Sequence, residues 1–355
     1  MRSFTSLTTA LLVSLAATLS AQVSTVPVGF NTAAVPAATS ATTPSNTVIS
    51  APFYQVATFQ GALTSLDSSN QVSFSGAAFG DLTTTPFLAR FKTGNSVGRF
   101  FRISANTPTQ LTLDTNAATG GSGYTLTTSA PSSTQTQLAV GDSVEICPAN
   151  SLNTLFPSGA PFGTGTSATG ADNVLLFNGT AWETYFFNTS VNQWRRSGSG
   201  LNQNNKIVFP DQGMFIVRRT TSAVNVTFLG TVPSTTEKTD FPGAGSSFKA
   251  NRFPIDLTFG TGNLSNNTEL NLNLKLAGWH GGTSANDAGD NIYLWNGTSW
   301  SVYFYNTSVN QWRRSGSGLN QNTTVIPLGA AIFVVRTTSA SGSNSTLTQA
   351  LPYTL

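Results

Sequence analysis

The chain has 355 residues, of which 9% are charged, 39% hydrophobic and 10% aromatic. An ordinary soluble domain carries about a quarter charged residues; here Ser, Thr, Asn and Gly supply the polarity and 24 Phe supply material for a core, which excludes intrinsic disorder. The net charge of +3 is spread over 17 Lys and Arg and 14 Asp and Glu without a basic stripe, which excludes a nucleic-acid-binding protein.

Residues 1–21 have the features of a secretory signal peptide. Arg2 supplies a positive start, 7–19 form an apolar stretch, and Ala21 ends a small-residue cleavage site. We therefore expect cleavage after Ala21 and a secreted protein, located outside the cell or on the outer cell surface. No other run approaches the roughly 18 apolar residues that a membrane span requires, so we expect no membrane span.

Two segments with different patterns follow the signal peptide. Residues 22–52 are rich in Ala, Thr, Ser and Pro, which predicts an extended N-terminal arm containing one short strand. Over 53–147, apolar residues such as Val72 and Phe74 alternate with others, which is typical of half-buried strands. About six short strands separated by polar turns predict a small β-barrel or sandwich domain over 53–147.

The second half of the chain contains an internal repeat. Residues 172–182 return as 290–300, at a shift of 118 residues, and the match continues to Thr220 and Thr338. Each copy has the pattern of a β-meander. An Asn-Gly pair between apolar runs in each copy predicts a two-residue type I′ hairpin turn.

The repeat determines the predicted fold class. Two copies are too few for a propeller, which needs about four blades, so two packed sandwich-like modules fit better. We place repeat module 1 at 148–248 and repeat module 2 at 249–355. An insertion in the second copy, 270–282, has alternating Leu residues and is predicted as a strand. The predicted fold is all-β: a small N-terminal β-barrel or sandwich domain followed by two tandem repeated β-sandwich-like meander modules.

Five short segments, most of them before the repeat, carry a family resemblance. They are 27–30 (Pro-Val-Gly-Phe), 98–107, 111–114, 140–145 and 155–157 (Leu-Phe-Pro). Together they resemble an uncharacterised family of secreted all-β proteins that occur as paralogues in Verrucomicrobia-type bacteria. The likeness covers most of the mature chain and rests on structural motifs. It implies secretion and a β fold, and it provides no catalytic residue to carry over.

The chain is poor in residues that common catalytic sites need. His280 is the one histidine in the sequence, which excludes a multi-histidine metal site. Cys147, the one cysteine, can form no internal disulfide and is interpreted as a small buried hydrophobic residue. Glu183 could belong to a catalytic carboxylate pair, but Ser301 takes its place in the second copy. We expect a non-enzymatic protein with no catalytic residue, no metal and no cofactor.

One group of oxygen-bearing side chains has two interpretations. Asn286, Asp287 and Asp290 could supply oxygen ligands to Ca²⁺. Alternatively, Asp290 and its counterpart Asp172 precede a strand and cap a turn through their side chains. The first copy offers only Thr169 and Asp172 at the matching places, and we therefore favour capping.

The most informative feature of the repeat is a stretch of unbroken identity. Residues 188–204 are identical at all 17 positions to 306–322. The 16 residues before this stretch match at nine positions and the 16 after it at four. Uniform divergence would not leave such a pattern. Either gene conversion copied the segment or both copies are constrained to present the same surface.

The identical segment contains the predicted binding residues. They are Trp194, Arg195, Arg196, Trp312, Arg313 and Arg314. Trp and Arg are enriched in binding hot spots, and a Trp ring can also stack on a sugar face. The competing interpretation is that each Trp anchors its hairpin to the core while the other residues form solvent-exposed loops.

Three functions are compatible with these observations. The first is a non-enzymatic secreted or cell-surface structural or adhesive protein that associates through the repeated aromatic hairpins, with copies of itself or a surface polymer as partner. The alternative is a carbohydrate-binding protein that uses Trp194 and Trp312 as stacking platforms for a glycan. The third, a secreted hydrolase with an unrecognised acidic pair, has no residue that nominates it.

Overall fold

The structure is a computed structural model that describes residues 26–67, 70–116, 124–129, 135–337 and 344–355. The predicted signal peptide lies outside these residues. Helices in the described part of the chain are single turns, which confirms the all-β prediction. They are α1 (Leu152–Leu155), a 3₁₀ turn (Pro157–Gly159), α2 (Leu272–Lys275) and α3 (Ala285–Ala288). None of these described helices has the length or apolarity to cross a membrane.

Strands account for nearly all the remaining regular structure. The first ten are β1 (Val28–Val35), β2 (Ser45–Ser50), β3 (Phe59–Leu66), β4 (Gln71–Phe74), β5 (Phe87–Phe91), β6 (Phe100–Asn106), β7 (Gln110–Leu113), β8 (Thr125–Thr127), β9 (Gln135–Gln137) and β10 (Ser143–Pro148). Those that follow are β11 (Asn173–Phe177), β12 (Trp182–Asn188), β13 (Gln193–Arg196), β14 (Gly213–Arg218), β15 (Val224–Thr231), β16 (Glu237–Phe241), β17 (Gly245–Ala250), β18 (Leu257–Thr258), β19 (Asn291–Trp295), β20 (Trp300–Asn306), β21 (Gln311–Arg314), β22 (Val325–Ile326), β23 (Ala331–Arg336) and β24 (Ser345–Gln349).

A closed six-stranded barrel forms within the segment predicted as the first domain. Its strands follow the order β10-β3-β4-β7-β6-β5 and pair antiparallel. Alternate side chains point inward, and Val72, Leu111 and Val144 are fully buried there. Irregular register in the β3–β4 and β6–β7 pairs is typical of bulges, which add the curvature that closing a small sheet requires. The prediction of a small barrel is confirmed.

Two five-stranded antiparallel sheets carry the repeated sequence. The first has the order β13-β12-β11-β14-β2, and the second has the order β21-β20-β19-β23-β17. Matching residues of the two copies therefore occupy equivalent strands. Each identical segment starts at the end of β12 or β20 and passes through the edge strand β13 or β21.

The fifth strand of each sheet comes from outside the matched sequence. β2 lies in the predicted arm, 22–52, and pairs with β14, while β17 begins within 148–248, crosses the predicted boundary at 249 and pairs with β23 of the second sheet. Two-stranded ribbons, β1 with β15 and β16 with β24, accompany the sheets. The arm therefore contains two paired strands, β1 and β2, and in the sequence the barrel segment lies between each of them and its partner strand. Strand pairing does not follow the predicted boundaries at 148 and 249.

The two Asn-Gly turns differ from the predicted two-residue type I′ form. β11 and β12 are joined by four residues, 178–181. The Asn178 Oδ1 atom accepts hydrogen bonds from the backbone N–H groups of Thr180 and Ala181, at 3.0 and 2.9 Å. The same contacts recur at Asn296. The Asn side chain therefore closes a four-residue turn. This role explains why Asn occupies the position, although the turn is not the predicted two-residue type I′ form.

The insertion at 270–282 forms the helical turn α2 and not the predicted strand. The Leu276 N–H donates to the Leu272 carbonyl oxygen at 3.0 Å. Leu270 joins these two residues in the core, whereas Leu274 is 52% exposed. Alternating Leu residues fit one face of a strand, but residues four apart also share one face of a helical turn, so the pattern was ambiguous over this length.

An aromatic interface joins the outer faces of the two sheets with approximate twofold symmetry. The rings of Phe177 and Phe333 have centroids 4.9 Å apart, and those of the equivalent pair, Trp295 and Phe215, are 5.2 Å apart. In a second set of equivalent contacts, the Trp182 ring stacks on Phe333 and the Trp300 ring stacks on Phe215, with centroids 5.9 and 6.0 Å apart. Trp182 is the first residue of β12, and Trp300 is the first residue of β20. Each identical hairpin begins at the other end of its strand, at Asn188 of β12 or Asn306 of β20.

Candidate functional site

The two tryptophans of the repeated hairpin are core residues. Trp194 is 1% exposed and Trp312 is 0% exposed. The Trp194 ring packs against Phe156 and Phe187, and its Nε1 atom donates to the Phe156 carbonyl oxygen at 3.1 Å. A sugar can stack only on an exposed ring face. The prediction that these two rings are stacking platforms is therefore wrong.

Strand geometry explains the burial. Trp194 pairs with Phe187 across the hairpin, and Tyr185 precedes Phe187 by two residues on the same strand face. All three side chains lie in one core cluster. The sequence alone could have predicted this burial. If 189–192 form the turn, Trp194 lies opposite Phe187, on the strand face that also carries Tyr185.

Arg195 and Arg313 point away from the core, beside an aromatic neighbour. Arg195 lies opposite Phe186 in the hairpin, and Arg313 lies opposite Phe304. The Nε atom of Arg195 is buried and has no hydrogen-bond partner among the described residues. Within the same part of the chain, neither guanidinium is paired with a carboxylate. Arg195 and Arg313 are therefore available for an anionic ligand.

Arg196 and Arg314 are exposed and differ in their surroundings. The Arg196 Nη1 atom lies 2.8 Å from the Glu183 Oε1 atom. Ser301 replaces this carboxylate in the second copy, and Arg314 has no ion pair among the described residues. The two positions are therefore identical in sequence and different in charge balance.

An open cleft of about 430 Å³ lies beside Arg195. We call it hairpin cleft 1. It is lined by the loop 166–168, by Phe186, and by residues of the hairpin between 188 and 200. It combines an apolar floor, hydroxyl groups and two guanidinium groups, a set suited to a small polar anion.

The loop and the hairpin that form this cleft are joined in the same way in both copies. The Asn188 Nδ2 atom donates to the Thr166 carbonyl oxygen at 3.3 Å. In the second copy the Asn306 Nδ2 atom donates to the Thr283 carbonyl oxygen at 3.0 Å. We call the equivalent place, between the loop at 283–285 and the second hairpin, hairpin cleft 2.

A larger groove, of about 920 Å³, lies where the barrel meets the two sheets. Six of its charged residues form three ion pairs with one another: Arg99 with Asp240, Lys206 with Glu183, and Lys249 with Asp211. Partial burial acts to raise the pKa of Glu183, but the Tyr185 hydroxyl and the cations of Lys206 and Arg196 lower it to about 2. A general acid needs a raised pKa, so Glu183 is unsuited to that role.

Cys147 lies in a position that prevents reaction. It is 2% exposed, and burial raises the pKa of its thiol to about 12. Because the thiolate is the nucleophile, we expect iodoacetamide at pH 8 to leave the native protein unlabelled and to label it fully in denaturant. Intact-mass measurement reports both states. Labelling of the native protein at the rate of a free thiol would contradict the described burial.

One serine lies within a Gly-x-Ser-x-Gly pattern, at 94–98, which the sequence analysis missed. This pattern marks a nucleophile when it forms a strand-to-helix turn beside a histidine. Here it joins two barrel strands, β5 and β6. Ser96 is 0% exposed and its hydroxyl donates to the Gln137 carbonyl oxygen at 2.5 Å. Because the hydroxyl is buried and already donates a hydrogen bond, this serine is a structural residue.

The acidic side chains considered for Ca²⁺ have other partners. Asp287 accepts hydrogen bonds from Thr283 and Ser284 and forms the capping box of α3 with Ser284, the N-cap residue. Asp290 is fully buried beside the Arg336 guanidinium at 3.4 Å, and Asp172 pairs with Arg218 at 2.7 Å in the first copy. These carboxylates hold the loops before β11 and β19 to the sheets.

Comparison with known proteins does not assign the chain to a family. No protein-family model, no curated protein and no solved structure matches it. The resemblance to an uncharacterised family of secreted proteins stays a prediction. The assignment of function therefore depends on the geometry of this chain and on the comparison of its two copies.

Proposed function

We propose that the chain is a non-enzymatic structural or adhesive protein of the cell exterior, and that the hairpin segments 188–204 and 306–322 are its contact surfaces. The observation that carries the proposal is that their identity includes exposed apolar residues. These are Leu201 and Leu319, at 71% and 70% exposure, and Val191 and Val309, at 44% and 46%. Exposed apolar side chains repeated in two polar loops favour a contact role.

Fold requirements account for only part of the identity. Trp194 and Trp312 fill the two cores, and the backbone N–H of each donates to Asn204 or Asn322 at 2.8 Å. The four exposed apolar residues belong to none of the described core clusters. Exposed positions tolerate substitution with little effect on stability, so their retention in both copies supports a shared contact surface.

The remaining chemistry favours contact over catalysis. Ser96 and the Cys147 thiol are buried, and Glu183 is held ionised by its cationic neighbours. The signal-peptide features at 1–21 support export. Two equal contact surfaces on one chain make the protein bivalent, and linked sites can gain on the order of a hundredfold in avidity.

Sedimentation velocity over a concentration series tests association through the hairpins. We expect the wild type to form larger species as the concentration rises, because two surfaces per chain allow open-ended assembly. Leu201→Asp or Leu319→Asp should limit assembly to dimers, and the double variant should remain monomeric. Leu264→Asp is the matched control, since Leu264 is 56% exposed outside both hairpins. A monomeric wild type, or assembly that persists in the double variant, would contradict the proposal.

Carbohydrate binding is the second candidate, and the hairpin clefts favour it. The residues that support it are the outward-facing arginines and not the buried tryptophans.

A further inference from the structure

The sequence identity between the two copies extends from the hairpin to the other residues that line the cleft. Hairpin cleft 1 is lined by 166–168, Phe186, Asn188, Val191 and 195–200, which are twelve residues. Every one has an identical residue at the equivalent place in the second copy. These are 283–285 (Thr-Ser-Ala), Phe304, Asn306, Val309 and 313–318.

Several neighbouring residues that do not line the cleft have diverged, although the core residue Tyr185 is kept as Tyr303. Three residues of β12 beside the cleft residues are replaced in β20: Glu183 by Ser301, Thr184 by Val302 and Phe187 by Tyr305. The loop residues after the identical Thr-Ser-Ala also differ, and the second loop is one residue longer. Gene conversion of 188–204 alone would not restore identity in a loop about twenty residues away. The loop and the hairpin that line hairpin cleft 1 are therefore identical to their counterparts in the second copy at the positions that face the cleft.

We propose that each hairpin cleft binds an acidic sugar unit, such as a uronic acid residue of a polysaccharide. The Arg195 guanidinium in cleft 1, and Arg313 in cleft 2, would pair with the carboxylate. A guanidinium presents its N–H groups in a planar fork that matches a carboxylate. Among the described residues no carboxylate pairs with the guanidinium of Arg195 or Arg313, so the fork has no counter-charge within the chain. Phe186 supplies the apolar floor, and Thr166 and Ser199 bring hydroxyl groups to the rim.

The same geometry disfavours an acidic peptide added as an extra strand. The outer edge of β13 is covered by its own loop: the Trp194 carbonyl oxygen accepts from the Gln203 N–H and the Trp194 N–H donates to Asn204, both at 2.8 Å. A peptide therefore finds few free backbone groups to pair with. The volume of about 430 Å³ is at the small end of the roughly 300–1,000 Å³ of small-ligand sites, which suits a short stretch of sugar.

This inference rests on the proposed function in using the same hairpin segment, including Val191 and Val309, but the residues that pair with the ligand, Arg195 and Arg313, differ from Leu201 and Leu319, which test association. The probe is a short oligogalacturonate, titrated into the full chain by calorimetry. We expect two molecules bound per wild-type chain, one per Arg195→Ala or Arg313→Ala chain, and none per double variant. The fully methyl-esterified oligomer should bind at least tenfold more weakly, because the ester removes the negative charge. Thermal melting of each variant shows whether it is folded.

Two controls separate the alternatives. Leu201→Asp with Leu319→Asp should abolish self-association and keep both sugar sites, because Leu201 does not line the cleft, so failure of one proposal leaves the other standing. Arg195→Lys retains the charge without the planar fork and should weaken binding partly. Equal binding of a hexaglutamate peptide, equal binding of the methyl ester, absence of oligogalacturonate binding, or two bound molecules in a single Arg→Ala variant would each overturn the inference.

Discussion

Replacing Trp194 or Trp312 by alanine is expected to lower the free energy of unfolding by about 3–5 kcal/mol. Both rings are fully buried, and each packs against several aromatic neighbours. Deleting an indole from such a core removes its apolar contacts and leaves a cavity. Denaturant unfolding followed by fluorescence and circular dichroism measures the loss. Any reduction in binding by these variants should follow unfolding and not precede it.

Phenylalanine at the same positions gives a finer comparison. The Trp194 Nε1 atom donates to the Phe156 carbonyl oxygen, whereas the Trp312 Nε1 atom is buried without a partner among the described residues. Trp194→Phe therefore loses a hydrogen bond, and Trp312→Phe removes an unsatisfied donor. We expect Trp194→Phe to cost about 1 kcal/mol more than Trp312→Phe. A larger cost for Trp312→Phe would contradict the described contacts.

Replacing Glu237 by alanine is expected to destabilise the chain by about 3–5 kcal/mol. The Glu237 carboxylate is buried, lies 2.5 Å from the Arg90 Nη2 atom and contacts the Arg252 guanidinium. The Tyr54 hydroxyl also donates to it, at 3.0 Å. Removing the carboxylate leaves two buried cations without the counter-charge that they share. Arg90 lies in barrel strand β5, whereas Glu237 lies in β16, which pairs with β24, and Arg252 lies in the segment 249–355. This cluster therefore joins the barrel to the second repeat.

Glu145→Ala is the matched control for this cluster. Glu145 also pairs with Arg90, at 3.5 Å, and with Lys92, at 3.3 Å, but its side chain is 21% exposed. Solvent reduces the contribution of such a pair to less than about 1 kcal/mol. Chemical denaturation should therefore separate the two variants clearly. Equal losses of stability for Glu145→Ala and Glu237→Ala would contradict the larger contribution expected of the buried Glu237 cluster.

The sequence alone was sufficient where the determining interaction is local. Alternation of apolar residues reports which residues of a strand share a face, so the short strands between 53 and 147 and the barrel they form were predictable. The repeat at a shift of 118 residues placed equivalent strands in the two copies before any pairing was known. The unbroken identity of 188–204 and 306–322 marked the surface that carries the proposed function.

Only the tertiary structure decided which distant segments pair and which face of a strand is covered. Strand β2 joins β14 across about 165 residues, and no local pattern in 45–50 specifies that partner. Trp194 and Arg195 are adjacent in the sequence, yet one fills a core and the other borders a cleft. Alternation separates the two faces without saying which one is buried, because burial depends on what packs against each face. The loop at 166–168 became relevant to function for the same reason: folding places it against a hairpin about twenty residues further along the chain.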